Sequence, residues 1–197
     1  MSLKFAVLIS GGGTNLQALI DAVEDGIIPA KIAVVISDRE GAFGIERAKR
    51  HGIASYVVTR NTFGNASERD EKLLEILKSH DVDFVMLAGY LSILTKNVVK
   101  NYEKRIINIH PALIPKYSGK GFYGDVIHEA VLKNKDRQTG VTLHFVDSGV
   151  DSGPIIIQEK IPVFEVDTLE SLKARIHTTE HRLIVETAKN FCEGGLQ

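Results

Sequence analysis

The chain has 197 residues, 44% of them hydrophobic and 25% charged, a globular balance that excludes disordered, collagen-like and membrane-spanning sequences and allows one sizeable core. A formal charge of −1 at pH 7 supplies no global field for nucleic acid or an anionic membrane. The single cysteine, Cys192, excludes an internal disulfide and a cysteine-built zinc cluster, and fits a reducing cytoplasm.

The first apolar run, KFAVLIS, is too short for a signal-peptide core and leads into glycines rather than a cleavage site, so it reads as a strand. The helical pattern NLQALIDAVEDG follows it. KIAVVIS then precedes FGIERAKRHG, and SYVV precedes a long helix from about Ser67 to Ser79. This alternation predicts βαβ units on a parallel sheet. The runs VDFVMLAG and RIINI continue it as central strands, apolar almost throughout because helices cover both faces. Beyond Pro115 the pattern changes. KYSGKGFYGD reads as a glycine-rich loop, and GKGFYG within it as a mobile lid, before a short helix, DVIHEAVLKN. TGVTLHFV and PIIIQEKIPV are strand-like and joined by DSGVDSG, and TLESLKARIHTTEHRLIVETAKNF closes the chain as one helix with Thr168 as its N-cap. Cys192 lies at the end of that helix, where nothing activates its thiol as a nucleophile.

SGGGTNLQAL connects the first strand to the first helix, so its glycine amides and the helix dipole make an anion seat suited to a phosphate. The bland reading of the same turn is a sharp reversal with Asn15 capping the helix. A dinucleotide fingerprint fits only in part. Gly11 and Gly13 match its first two glycines and Asp38 could take a ribose, but Leu16 stands where the third glycine belongs. The lysine and spacing of a P-loop are absent.

In NIHPALIP, strand alternation puts Asn108 and His110 on one face, and Pro111 ends the strand. A carboxamide and a cationic imidazole could both donate to one oxygen that gains negative charge. Such a ring needs a carboxylate to keep it protonated, and Asp147 and Asp151 of DSGVDSG are the candidates; the competing reading of each is a turn-forming residue. No serine or cysteine occupies a nucleophile elbow, so direct transfer between two bound substrates fits better than a covalent intermediate.

Together SGGGTNLQAL, FGIERAKRHGI, VMLAGYLSIL, INIHPALIPKYSG, HFVDSGVDSGPIIIQ and TTEH resemble the folate-dependent formyltransferases over nearly the whole chain. The resemblance implies an α/β, Rossmann-like fold: a mostly parallel twisted sheet with helices on both faces and a long C-terminal helix. It implies one domain over 1–197, in which 1–105 binds nucleotide and 106–197 completes the folate cleft and catalytic site. The implied activity moves a formyl group from formyltetrahydrofolate, the cosubstrate, to the amine of glycinamide ribonucleotide in purine synthesis. No metal, nucleic acid or membrane takes part, and the protein is a cytoplasmic monomer or homodimer. Carried over by position, Asn108, His110 and Asp151 are catalytic, and Gly13, Thr14, Asn15, Pro111 and Glu180 hold the nucleotide. Leu91, Ser92, Ile93, Leu94, Asn108 and Asp147 hold the folate, with Arg69 on its tail. Ser92 departs from the family pattern, in which arginine is common there, and the loop before His128 is longer than in many relatives.

Other readings are weaker. HTTEH matches an inverted zinc-peptidase pattern, but only sixteen residues follow it, which leaves little room for a third ligand. Formyltetrahydrofolate hydrolases and methionyl-tRNA formyltransferases share the Asn, His and Asp, yet SGGGTN suits a small phosphorylated substrate and no added regulatory or tRNA-binding domain is expected. A non-catalytic nucleotide-binding regulator would use the turn alone.

Overall fold

The computed structural model describes residues 2–196. Seven strands form one sheet: β1 (Leu3–Ile9), β2 (Ala30–Ser37), β3 (Ser55–Val57), β4 (Phe84–Leu87), β5 (Ile106–His110), β6 (Gln138–Phe145) and β7 (Ile155–Pro162). The helices are α1 (Thr14–Glu24), α2 (Phe43–Arg50), α3 (Arg60–Phe63), α4 (Ala66–Ser79), α5 (Lys96–Asn101), α6 (Asp125–Lys133) and α7 (Leu169–Cys192). Strand order is β3-β2-β1-β4-β5-β6-β7, with β1 to β5 parallel and β6 and β7 added antiparallel.

Alternation along β1 explains the layers. Phe5, Val7 and Ile9 enter a core shared with α1 and α7, while Ala6 and Leu8 enter a second core lined by Leu73, Leu74 and Leu77 of α4. Phe5 stacks on Phe84 at 4.9 Å, and Phe84 meets Phe191 of α7 at 4.4 Å, which ties the end of the long helix to the sheet centre. That helix starts as expected: Thr168 Oγ1 accepts from the Ser171 amide and the Ser171 hydroxyl accepts from the Thr168 amide.

Order reverses at β1. The chain leaves β1 for β2 on one side and later returns to β4 on the other, so the loops after β1 and β4 diverge and leave a crevice at their carboxyl ends. The next strands, β5 and β6, run antiparallel, with Asn108 opposite His144 and His110 opposite Thr142. α3 and α5, at four and six residues, were not anticipated. No helix among the described residues is long and apolar enough to cross a membrane.

Candidate active site

The crevice opens into a cleft of ≈ 890 Å³, bordered by the turn after β1, the loop after β4, the end of β5, the loop after β6 and one face of α7. Gly13, Thr14, Asn15, Leu91 to Leu94, Asn108, His110, Pro111, Asp147, Asp151 and Glu180 all border it. Arg69 does not.

At one end, Gly13 is the N-cap of α1, and no side chain caps its amides. The expected cap, Asn15, points elsewhere: its Nδ2 lies 3.5 Å from Glu180 Oε1, and its buried Oδ1 has no protein partner. The first-turn N–H groups therefore remain available to an anion. Gly13 has φ 70°, and a Cβ there would stand 2.8 Å from Gly44 Cα. Glycine is required on both counts. The Gly44 amide donates to Gly11 O at 3.0 Å and Arg47 Nε to Gly12 O at 2.9 Å, so α2 braces the turn from behind. Beside Asn15, burial pushes the Glu180 carboxyl up to about 7, opposed by the contact with Asn15. Near neutral pH Glu180 can therefore either accept or donate.

The loop after β4 presents Leu91 and Ile93, 39% and 54% exposed, as apolar walls for a flat ring. Arg69, expected on the folate tail, requires a correction. It is 3% exposed, its Nε donates to Asp70 Oδ1 at 2.7 Å and its Nη2 to the Ile93 carbonyl at 2.8 Å. It holds this loop from beneath and cannot reach a ligand. Asp38, once a candidate for a ribose, is engaged by Ser10 and Ser92.

The end of β5 carries the polar group. His110 Nε2 lies 2.8 Å from the Tyr117 carbonyl, which can only accept, so Nε2 bears the proton and Nδ1 faces Asp151 Oδ2 at 3.7 Å. Asn108 Nδ2 is 3.1 Å from His144 Nε2 and 3.4 Å from Asp151 Oδ1. His144 donates from Nδ1 to the Phe145 carbonyl at 2.8 Å, which turns its Nε2 toward Asn108 Nδ2 and Asp151 Oδ1. Gly119 N–H donates to Asp151 Oδ2 at 3.0 Å. Asp151 and Tyr117 both have left-handed backbones, φ 54° and 55°, so the two residues that address His110 are held in a conformation side chains rarely adopt. Gly153 makes the turn possible, since a Cβ there would collide with the Phe145 carbonyl oxygen. Asp147 closes the same loop by accepting from Gly149 N and Ser152 Oγ at 2.9 and 2.8 Å.

The charge expected on the imidazole also requires correction. Burial lowers the His110 pKa below its ordinary value, and Asp151 and the Tyr117 carbonyl, which raise it, do not make up the difference. That direction favours the neutral ring at pH 7. Burial also raises the Asp151 carboxyl, but His144, His110 and the Gly119 amide together outweigh it and keep Asp151 ionised.

Sequence reasoning missed His144, which is 2% exposed and touches both Asn108 and Asp151. Its signal was an imidazole inside an apolar strand, but only the antiparallel register reveals its partner. Lys173 and His177 of α7 also border the cleft, and Lys173 Nζ pairs with Asp125 Oδ1 at 2.7 Å. His128, whose role was open, borders the cleft from α6; burial lowers its pKa to about 4, and its Nδ1 has no partner. The His177 and His181 rings stack 6.1 Å apart, and no group of three or more His, Cys, Asp or Glu side chains among the described residues is arranged to hold a metal ion. Burial raises the Cys192 thiol to about 11, so it is a poor nucleophile.

A crevice at a topological switch point, with an anion-seating turn at one end and an amide, an imidazole and a carboxylate beside it, defines an α/β enzyme of group transfer. The chain belongs to the formyl transferase family, whose model matches residues 3–188. It is 43% identical over 98% of its length to the phosphoribosylglycinamide formyltransferase of Haemophilus influenzae, covering 89% of that protein. With the phosphoribosylglycinamide formyltransferase of Escherichia coli it shares 37% identity over 99% of this chain and 90% of that one. The crystal structure of glycinamide ribonucleotide transformylase 1 from Symbiobacterium toebii superposes with a TM-score of 0.91 at 41% identity, covering 98% of this chain and 89% of that chain.

Proposed function

We propose that the protein transfers the formyl group of formyltetrahydrofolate to the amine of glycinamide ribonucleotide, a step of purine synthesis, as a cytoplasmic monomer or homodimer. The observation that carries this reading is the meeting of Asn108, His110 and Asp151 in one cleft with a turn suited to a phosphate and a loop suited to a flat ring. The relatives, phosphoribosylglycinamide formyltransferases by name, support the same acceptor and the same transferred group.

In this reading Gly13, Thr14 and Asn15 seat the phosphate end of the nucleotide, while Pro111 and Glu180 border the rest of it. Residues 91–94 and Asp147 border the pterin. Residues 1–105 thus supply the turn and the pterin walls, and 106–197 supply the catalytic group and Glu180. No metal is assigned a role.

The neutral ring decides how the proton moves. As the amine nitrogen bonds to the formyl carbon, the carbonyl oxygen gains negative charge and the nitrogen becomes cationic. Asn108 Nδ2 turns one hydrogen from His144 or Asp151 to that oxygen. His110 Nδ1, the free nitrogen, takes the amine proton through water, and Asp151 stabilises the imidazolium that forms. The same proton then passes to the departing folate nitrogen as its bond to the formyl carbon breaks. Nδ1–H can also support the oxyanion in that interval, the role a resting cation would otherwise fill.

The test is to mix purified protein, glycinamide ribonucleotide and formyltetrahydrofolate, and to follow deformylated folate together with formylated nucleotide. Equal amounts of both are expected. Deformylated folate with free formate and no formylated nucleotide would establish hydrolysis instead, and ligand binding without turnover would leave a nucleotide-binding regulator.

A further inference from the structure

The loop after β4 is fixed to an unusual degree for a segment without regular structure. Within Leu91–Thr95, four groups are tied down by residues distant in sequence. The Leu91 amide donates to Ser10 Oγ at 2.8 Å, and the Ser92 hydroxyl donates to Asp38 Oδ2 at 2.6 Å. The Ile93 carbonyl accepts from Arg69 at 2.8 Å, and the Thr95 amide donates to Asp70 Oδ2 at 2.6 Å. Ser10 completes the first pair by donating to Asp38 Oδ1 at 2.5 Å. One carboxylate therefore accepts from both hydroxyls and fixes two successive residues of the loop.

Strand register explains the meeting. Ile9 pairs with Ser37, so the next residues of β1 and β2, Ser10 and Asp38, emerge side by side. Leu8 pairs with Leu87, which brings the loop after β4 to the same place.

We propose that Asp38 is a positioning residue for the formyl donor: through Ser10 and Ser92 it sets the backbone of the 91–94 loop and hence the separation of the Leu91 and Ile93 walls. Asp38 does not border the cleft, whereas Ser10, Ser92 and the loop all do. The effect is confined to one substrate. The glycine turn that follows Ser10 has separate braces, the Gly44 amide on Gly11 and Arg47 on Gly12, so loss of Asp38 leaves the nucleotide seat in place. The inference rests on the folate reading of that loop.

The test uses Asp38→Ala and Asp38→Asn in the full chain. Asparagine can replace both contacts, with Oδ1 accepting from Ser10 and Nδ2 donating to Ser92 Oγ; alanine can replace neither. Three quantities are measured on wild type and both variants: the Kd for tetrahydrofolate by calorimetry, the KM for each substrate with kcat, and the melting temperature. Two charge-assisted hydrogen bonds are lost in Asp38→Ala, so its folate Kd and donor KM are expected to rise about tenfold or more, with kcat and nucleotide KM within about twofold of wild type. Asp38→Asn is expected to return to within about threefold of wild type. An unchanged donor Kd in Asp38→Ala, an equal rise in both KM values, or failure of asparagine to rescue would overturn the proposal. A wild type that binds tetrahydrofolate without transferring formyl would defeat only the proposed function, because the Kd comparison still decides the role of Asp38. A wild type that binds no folate would overturn both.

Discussion

The two ends of the cleft are built in opposite ways. Around the glycine turn and the 91–94 loop, the surfaces offered to ligands are main-chain amides and apolar walls, and side chains hold them from behind: Arg47 on Gly12, Ser10 on Leu91, Arg69 on Ile93, Asp70 on Thr95. At the end of β5 the reactive groups are side chains, and main chain holds them: the Tyr117 carbonyl on His110, the Phe145 carbonyl on His144, the Gly119 amide on Asp151. A binding surface needs shape, and a backbone fixed by remote anchors provides it. A catalytic group must change protonation while keeping its orientation. Main-chain carbonyls, which do not titrate near neutral pH, suit that task, because each fixes one ring nitrogen and leaves the other free.

This contrast predicts different kinds of damage at the two ends. The largest effect belongs to the side-chain end. His110→Ala is expected to lower kcat at least about a hundredfold to a thousandfold, the range for loss of one group that acts on the developing charge, while both KM values stay near wild type. Steady-state kinetics of the purified variant check it, and a near-wild-type kcat would remove His110 from the chemistry. At the backbone end, Gly13→Ala should do the reverse. Its Cβ meets Gly44 at 2.8 Å and its φ of 70° is unfavourable for alanine, so the turn must shift and the first-turn amides with it. Nucleotide KM is expected to rise by about tenfold to a hundredfold, corresponding to about 1–3 kcal/mol, with kcat at saturation and donor KM nearly unchanged. Equal losses in kcat for both variants would erase the distinction between the two ends.

The same contrast sets what could be read in the sequence. The parallel part of the sheet was legible because each strand is an apolar run followed by a helical pattern, and Asn108 and His110 were legible because strand alternation alone puts them on one face. α3 and α5 were not, since four and six residues do not complete enough turns for a period to show. His144 was hidden because its partner is set by the antiparallel register of β5 and β6, which adjacent sequence does not encode. Arg69 was expected on the folate tail because neither its burial nor its partners can be read from a helical pattern; it and Asp70 are 3% and 1% exposed, and their task is to hold a loop more than twenty residues away. The resting charge of His110 was misjudged for a related reason. A nearby carboxylate can be inferred from a motif, whereas the degree of burial that outweighs it depends on how Tyr117, His144 and the loop after β6 close over the ring.

That balance between burial and Asp151 gives the last and smallest prediction. The pKa of His110 is lowered from 6.5, so the neutral ring is present at pH 7 and is lost as pH falls through the lowered value. If neutral Nδ1 takes the amine proton, kcat/KM should fall on the acid side with a midpoint below 6.5. A ring that had to be cationic at rest would give the opposite limb, with activity falling as pH rises through that same value. Asp151→Asn separates the carboxylate's charge from its backbone, because asparagine, unlike alanine, tolerates the left-handed φ of 54° at this position. Removing the negative charge withdraws the influence that raises the His110 pKa, so the acid limb of this variant should move to still lower pH, beneath a reduced plateau. If the limb instead disappeared, Asp151 rather than His110 would be the titrating group. If it moved to higher pH, the carboxylate would not be supporting the imidazolium at all, and the main-chain contact from Tyr117 would be left as the only group that favours the charged ring.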